Sequence, residues 1–288
     1  MVGLLDEEYV IQLDDTPPFS WIRETPNRFM FCKKIPSAKS HIHAEGPLYS
    51  IARMAEDILG REAVEVFNDY RVQQGDHQNI IFSHDGLSNE AVPSIRNSNK
   101  KGILFSAGGP IKKEARENGW EYQSLPKGYP MKFIMPEILG CILSMYGLDF
   151  PTKELESFIE SQLPSSISQY NASKKLSMEL VEAPIIFAYD DRTRGLAGRY
   201  VDLLKRNANV DSVAVHFREV DQTNSANKKA IVISFAGEGE TAAKSREGGY
   251  PFRNDTLPGY LKNAIIAEFA SIYVSMLLGV EVDLLELR

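Results

Sequence analysis

Short apolar runs alternating with segments of helical periodicity restrict this chain more than any other feature. Asn79–Ser83 has the length and side chains of a buried strand, and Ala63–Phe67, Gly102–Ser106 and the short Glu121–Leu125 read as further strands. Between and after them, Leu48–Leu59, Asn89–Asn97, Ile111–Asn118 and Met131–Tyr146 space their apolar residues as helices do. Gly60, Gly119 and Gly147 stand where helices stop, and Pro93 falls in a first turn, where a missing N–H is tolerated. Arg28–Lys33 reads as one more buried strand ahead of these, followed by a loop to Gly46. Strand–helix alternation of this kind implies a mainly parallel sheet with helices on both faces.

The pattern pauses at two more highly charged helical segments, Thr152–Leu163 and Asn171–Leu180, and then restarts. Ala183–Ala188, Ser212–Val215 and Ala230–Phe235 read as strands and Gly195–Lys205 as a helix. Ala236–Gly249, rich in Gly, Glu and Lys, reads as a loop. Leu257–Leu278 reads as a long amphipathic helix whose Leu257, Leu261, Ile265, Phe269, Ile272 and Met276 suit a core or a dimer face. A chain of 288 residues suits two domains. The expected division is residues 1–150 and residues 151–288, the latter comprising linker helices and a second α/β unit.

Asp and Glu number 39 against 32 Lys and Arg, a net charge of −7. That balance argues against a general nucleic-acid binder, which needs basic surface to displace counterions. Cys32 and Cys141 lie in apolar runs and read as buried free thiols of a reducing compartment. The amino terminus has acidic residues where a signal peptide would be basic, and no apolar stretch reads as membrane-spanning. The expectation is a cytoplasmic protein with neither nucleic-acid nor membrane partner.

Two segments carry a family resemblance. Ile80–Leu148 holds the strand IIFS, the loop HDGLSNE, the strand GILFSAGG and then LPKGYPMKFIMPEILGCILSMYGL. Arg194-Gly195-Leu196-Ala197-Gly198-Arg199 opens a helix in the second half. Their order resembles the archaeal bifunctional phosphoglucose/phosphomannose isomerases, sugar isomerases built of two tandem SIS-type domains. The resemblance implies an α/β fold with two such domains, a sugar-phosphate ligand in a pocket between them, a homodimer and no cofactor.

It also implies which residues would act, and most of those positions have changed. The phosphate loop corresponds to Ser83-His84-Asp85-Gly86-Leu87-Ser88, where backbone N–H groups at a helix start favour an anion. Ser83 and Ser88 keep hydroxyls there, while Asp85 brings a carboxylate that repels phosphate; the same three residues also suit turn closure and helix capping. The family's glycine-rich turn corresponds to Lys33–Gly46, which lacks the glycines. Its catalytic Glu falls on Arg206 and its ring-opening His on Gln222, neither able to move a proton near neutral pH. Glu219 and Asp221 remain as weak candidates for a base. Lys132 stands at the family's arginine before the long first-domain helix, and Arg194 is a second cationic candidate. His41, His43, Glu45 and His84 could hold a divalent metal only if their loops converge; no metal is expected. The chain therefore reads as a phosphosugar isomerase-like protein with a degraded site, or a non-catalytic relative that binds a sugar phosphate or a protein.

Overall fold

The computed structural model describes residues 4–35, 39–72, 75–87, 90–98, 101–181, 184–220, 223, 230–235 and 254–282. The chain forms two compact units, one spanning Phe29–Phe150 and the other combining residues up to Arg28 with those from Pro151 onward. The described residues up to Arg28 hold a 3-10 turn (Leu4–Asp6) and three short α-helices, α1 (Glu8–Ile11), α2 (Phe19–Arg23) and α3 (Thr25–Arg28).

The first unit holds a five-stranded, wholly parallel sheet of β1 (Ser40–Ala44), β2 (Val64–Phe67), β3 (Gln78–Phe82), β4 (Ile103–Ser106) and β5 (Glu121–Ser124). Their spatial order is 2-1-3-4-5. Right-handed crossovers put helices on opposite faces when a chain winds both ways from its centre. Accordingly α4 (Pro47–Leu59), which joins β1 to β2, packs with α7 (Met135–Met145). On the other face α5 (Ala91–Asn97) and α6 (Ile111–Glu117) bury Ala91, Ile95, Ile111 and Ala115 over Ile81 and Leu104, with Tyr70 and Trp120.

Three sequence expectations change in this unit. Arg28–Lys33 is not a strand: Arg28 ends α3, and the chain to Ile35 runs without strand pairing. The first strand is Ser40–Ala44, read above as loop. It is a fully buried strand, paired on both sides and covered along its whole length. Its polar SHIHA sequence conceals that burial, whereas RFMFCK displays apolar side chains without pairing. Cys32 and Cys141 are likewise not free thiols. They form a disulfide, with Cα atoms 5.1 Å apart, between the extended segment and α7.

The second unit has a parallel three-stranded sheet among its described residues, β6 (Ile185–Tyr189), β7 (Ser212–His216) and β8 (Ile231–Ser234), in the order 7-6-8. Against it pack α10 (Arg194–Ala208) and, beyond that, α11 (Leu257–Leu278), which also contacts α8 (Thr152–Glu160) and α9 (Ala172–Leu180). The expected amphipathic stripe of α11 is absent. Nearly every residue from Gly259 to Ser275 is buried, and the helix is apolar all round. It is long and apolar enough to cross a membrane by length and composition, contrary to the sequence expectation, but most of it is buried within its own unit, as in a core helix.

Candidate functional site

In an open parallel sheet a ligand crevice lies outside the carboxyl ends of the strands, where the strand order reverses. In the first unit the chain leaves β1 toward β2 and returns on the other side as β3, so the reversal falls between β1 and β3. Glu45 and Gly46 follow β1, Ser83–Leu87 follow β3, and Asp69 and Tyr70 follow β2. The turn after the first strand is thus two residues long, far shorter than the stretch to which the family comparison of sequence assigned it. Gly46, at φ 56°, makes this turn possible and lets α4 begin at Pro47.

The crevice is acidic. The half-buried Glu45 carboxyl is pushed above its usual range by burial, then by the carboxylates of Glu90 and Asp69. Tyr70 Oη donates to the Phe82 carbonyl at 3.0 Å. Burial raises its pKa, and the charges of Glu45, Asp85 and Glu90 push the same way. Four carboxylates therefore act at this edge on Glu45 and Tyr70, with Lys127 near the Gly108 turn that touches the same loop.

The loop after β3 is spent on backbone packing. Asp85 Oδ1 accepts from Leu87 N at 2.9 Å and closes the turn. Ser83 N donates to Phe105 O at 2.9 Å, and Ala107 N to His84 O at 2.8 Å. A Cβ on Gly86 would lie 2.0 Å from Gly108 O, and one on Gly109 2.4 Å from Asp85 O. These glycines allow two loops to touch each other. Ser83 is buried, and Ser88 lies outside the described residues.

Lys132 sits in a 3-10 turn before α7, buried, with its Nζ 5.7 Å from the Phe133 ring centroid; it is not a solvated surface cation. In the second unit Arg194 is exposed at the start of α10, and Glu219 is exposed at the end of a short 3-10 turn. Asp190 Oδ1 closes the loop after β6 by accepting from Arg192 N and Thr193 Oγ1, each at 2.9 Å. Arg206 Nε donates to Asp202 Oδ1 at 2.8 Å on the helix surface. Asp221, Gln222 and the Ala236–Gly249 segment lie outside the described residues.

His41 and His43 are side chains of β1, while His84 lies in the loop after β3. His41 stacks on His77 at 3.6 Å between ring centroids, and His43 lies beside Asp69, 3.2 Å from its carbonyl oxygen and 3.6 Å from its carboxylate. Among the described residues no three His, Cys, Asp or Glu side chains are gathered to hold a metal. Asp69, Tyr70 and Glu90 were missed in the sequence. Their signal was position: Asn68-Asp69-Tyr70 directly follows an apolar strand, and Glu90 immediately precedes a helix.

No family model and no curated protein matches the chain. Solved structures do. A glucose-6-phosphate isomerase-like protein from Thermus thermophilus is 14% identical, with a TM-score of 0.60 over 96% of each chain. Glucosamine-6-phosphate deaminase from Thermotoga maritima is 13% identical, with a TM-score of 0.62 over 92% of this chain and 94% of the other. The C-terminal domain of glucosamine-fructose-6-phosphate aminotransferase from Francisella tularensis is 12% identical, with a TM-score of 0.55 over 96% and 98%. At these identities the likeness shows a fold: the chain has the α/β architecture of phosphosugar isomerase-like proteins.

Proposed function

We propose that this chain is a phosphosugar isomerase-like protein, a divergent relative of the archaeal bifunctional isomerases, that has kept their fold and lost the aldose–ketose chemistry. The observation that carries the reading is the acidic crevice. Isomerisation of a sugar phosphate requires donors for a dianion, a base and a group able to open the ring. At the strand reversal, Glu45, Asp69, Asp85 and Glu90 oppose the dianion. The residue at the family's base position is an arginine bound to Asp202. Lost acid–base groups each cost roughly 10²–10⁴-fold in rate.

A coupled assay on fructose 6-phosphate tests this directly. Turnover should stay below about 1 s⁻¹, the low end of ordinary enzymes. The melting temperature should not move with millimolar glucose 6-phosphate, because a ligand stabilises only the state that binds it. Turnover above that level would refute the loss of chemistry. A saturable rise in melting temperature would refute the electrostatic argument and restore a sugar-phosphate site.

A further inference from the structure

A second concavity lies at the opposite edge of the first sheet. It has a volume of about 670 Å³ and is walled by Gln78, Ile103 and Glu121, at the starts of β3, β4 and β5, together with Met145 and Cys32. That size suits a small organic molecule. Lys33, Lys34 and Lys101 stand at its rim, all exposed, against the single carboxylate of Glu121. Helices α6 and α7 end here. Lys101 lies against Gly119 and Lys34 against Gly147, where a cation faces the negative end of each helix dipole. On a chain of net charge −7 this is a place where cations outnumber acids.

The two cysteines of the disulfide stand unequally with respect to this space. Cys32 is half-buried and lines it; Cys141 is fully buried in α7 and does not. We propose that the Cys32–Cys141 disulfide is a modification site, opened at Cys32 by a small anionic thiol drawn into the lysine-rimmed cavity. The thiol R–SH loses its proton, and R–S⁻ attacks Cys32 Sγ. The Sγ–Sγ bond breaks, its electron pair passes to Cys141 Sγ, and that sulfur takes up the proton. The products are a mixed disulfide, Cys32–S–S–R, and a buried Cys141 thiol, with no further oxidant or reductant. Lysines near the point of entry favour the thiolate, which is the attacking form. The extended segment keeps other attachments when the bond opens: Cys32 N to Ser144 Oγ at 2.9 Å, Ile35 N to Met145 O at 3.2 Å, and Phe29 stacked on Phe150 at 4.0 Å. Exchange therefore takes place in the folded protein.

The test compares glutathione, neutral 2-mercaptoethanol and cationic cysteamine on the folded full-length chain at matched thiolate concentration. Acid quenching, alkylation and peptide mass spectrometry locate the adduct. The expected result is an adduct on Cys32 and an alkylated Cys141. Glutathione should react about fivefold or more faster than cysteamine, as expected for one attractive against one repulsive charge near a surface. The preference should collapse at about 1 M salt, where the screening length is about 3 Å. The Lys33→Gln/Lys34→Gln/Lys101→Gln variant should lose it too; the salt series on the unaltered chain stands independently of that variant's folding. An adduct on Cys141, equal rates for the three thiols, or exchange only within the unfolding transition would overturn the proposal.

Discussion

His41 shows how far a side chain's neighbours can override its type. On β1 it lies between Glu65 of β2 and Asn79 of β3, with its ring against His77. Its pKa falls to about 4, first through burial and then through the neighbouring His77 charge, while Glu65 pulls the other way. At neutral pH the ring is therefore uncharged, and the 3.7 Å approach of Nε2 to Glu65 is not an ion pair. The unfolded chain binds this proton near pH 6.5 and the native chain only near 4. The stability contribution is whole above about 6.5, falls as the pH drops through that window, and is gone below about 4. A histidine NMR titration should place the His41 midpoint near 4; a midpoint near 6.5 would contradict the burial argument. Sequence could place His41 and His43 two residues apart but could not supply this environment. A histidine gives no strand signal of its own, and its burial comes from β2 and β3 on either side.

The apolar strands were legible from their own residues, IIF in β3, ILF in β4, IIFA in β6 and IVIS in β8; β2, β5 and β7 were read as strands as well, and among the described strands only the polar β1 was missed. Helix ends marked by Gly60 and Gly147 were legible for an equally local reason, a backbone conformation with positive φ. The disulfide was not, because pairing joins positions far apart in sequence, and each cysteine's own apolar run suits a buried free thiol equally well. Nor was the nature of α11, whose single acid, Glu268, is explained only by a residue on another helix. Arg199 of α10, fully buried, donates from Nε and Nη2 to Glu268 Oε1 at 3.1 and 2.5 Å, and Asp202 lies 3.7 Å from its Nη1. Burial raises the Glu268 pKa even though Arg199 lowers it. Removing one partner strands the other charge, at a cost of about 3–5 kcal/mol, whereas replacing both with apolar residues can be nearly neutral. Urea denaturation should show Glu268→Leu and Arg199→Met each losing about that much, and the double variant recovering at least half of the summed loss. Additive losses would mean that the pair is not coupled.

For the molecule as a whole, the two units are not consecutive in sequence. The first occupies one uninterrupted stretch, Phe29–Phe150, while residues up to Arg28 belong with those from Pro151 onward. The attachments of the amino-terminal segment are specific. The buried Lys174 Nζ donates to Leu5 O at 2.7 Å and to Asp6 Oδ1 at 2.9 Å, Ser168 Oγ donates to Asp6 at 2.9 Å, and Phe19 packs on Phe269 and Tyr273. Without residues 1–28, Lys174 would be a buried ammonium with part of its shell missing, and the aromatic cluster would be open to water. A fragment of residues 29–150, with its complete sheet and both helical layers, should therefore unfold cooperatively in urea. A fragment starting at Pro151 should not. Since α3 and α8 pack together, joining Arg28 to Pro151 through a short Gly/Ser linker should restore a cooperative transition to the second unit. If the fragment starting at Pro151 folds as well without the amino-terminal helices as with them, those helices are an appendage and not part of its core.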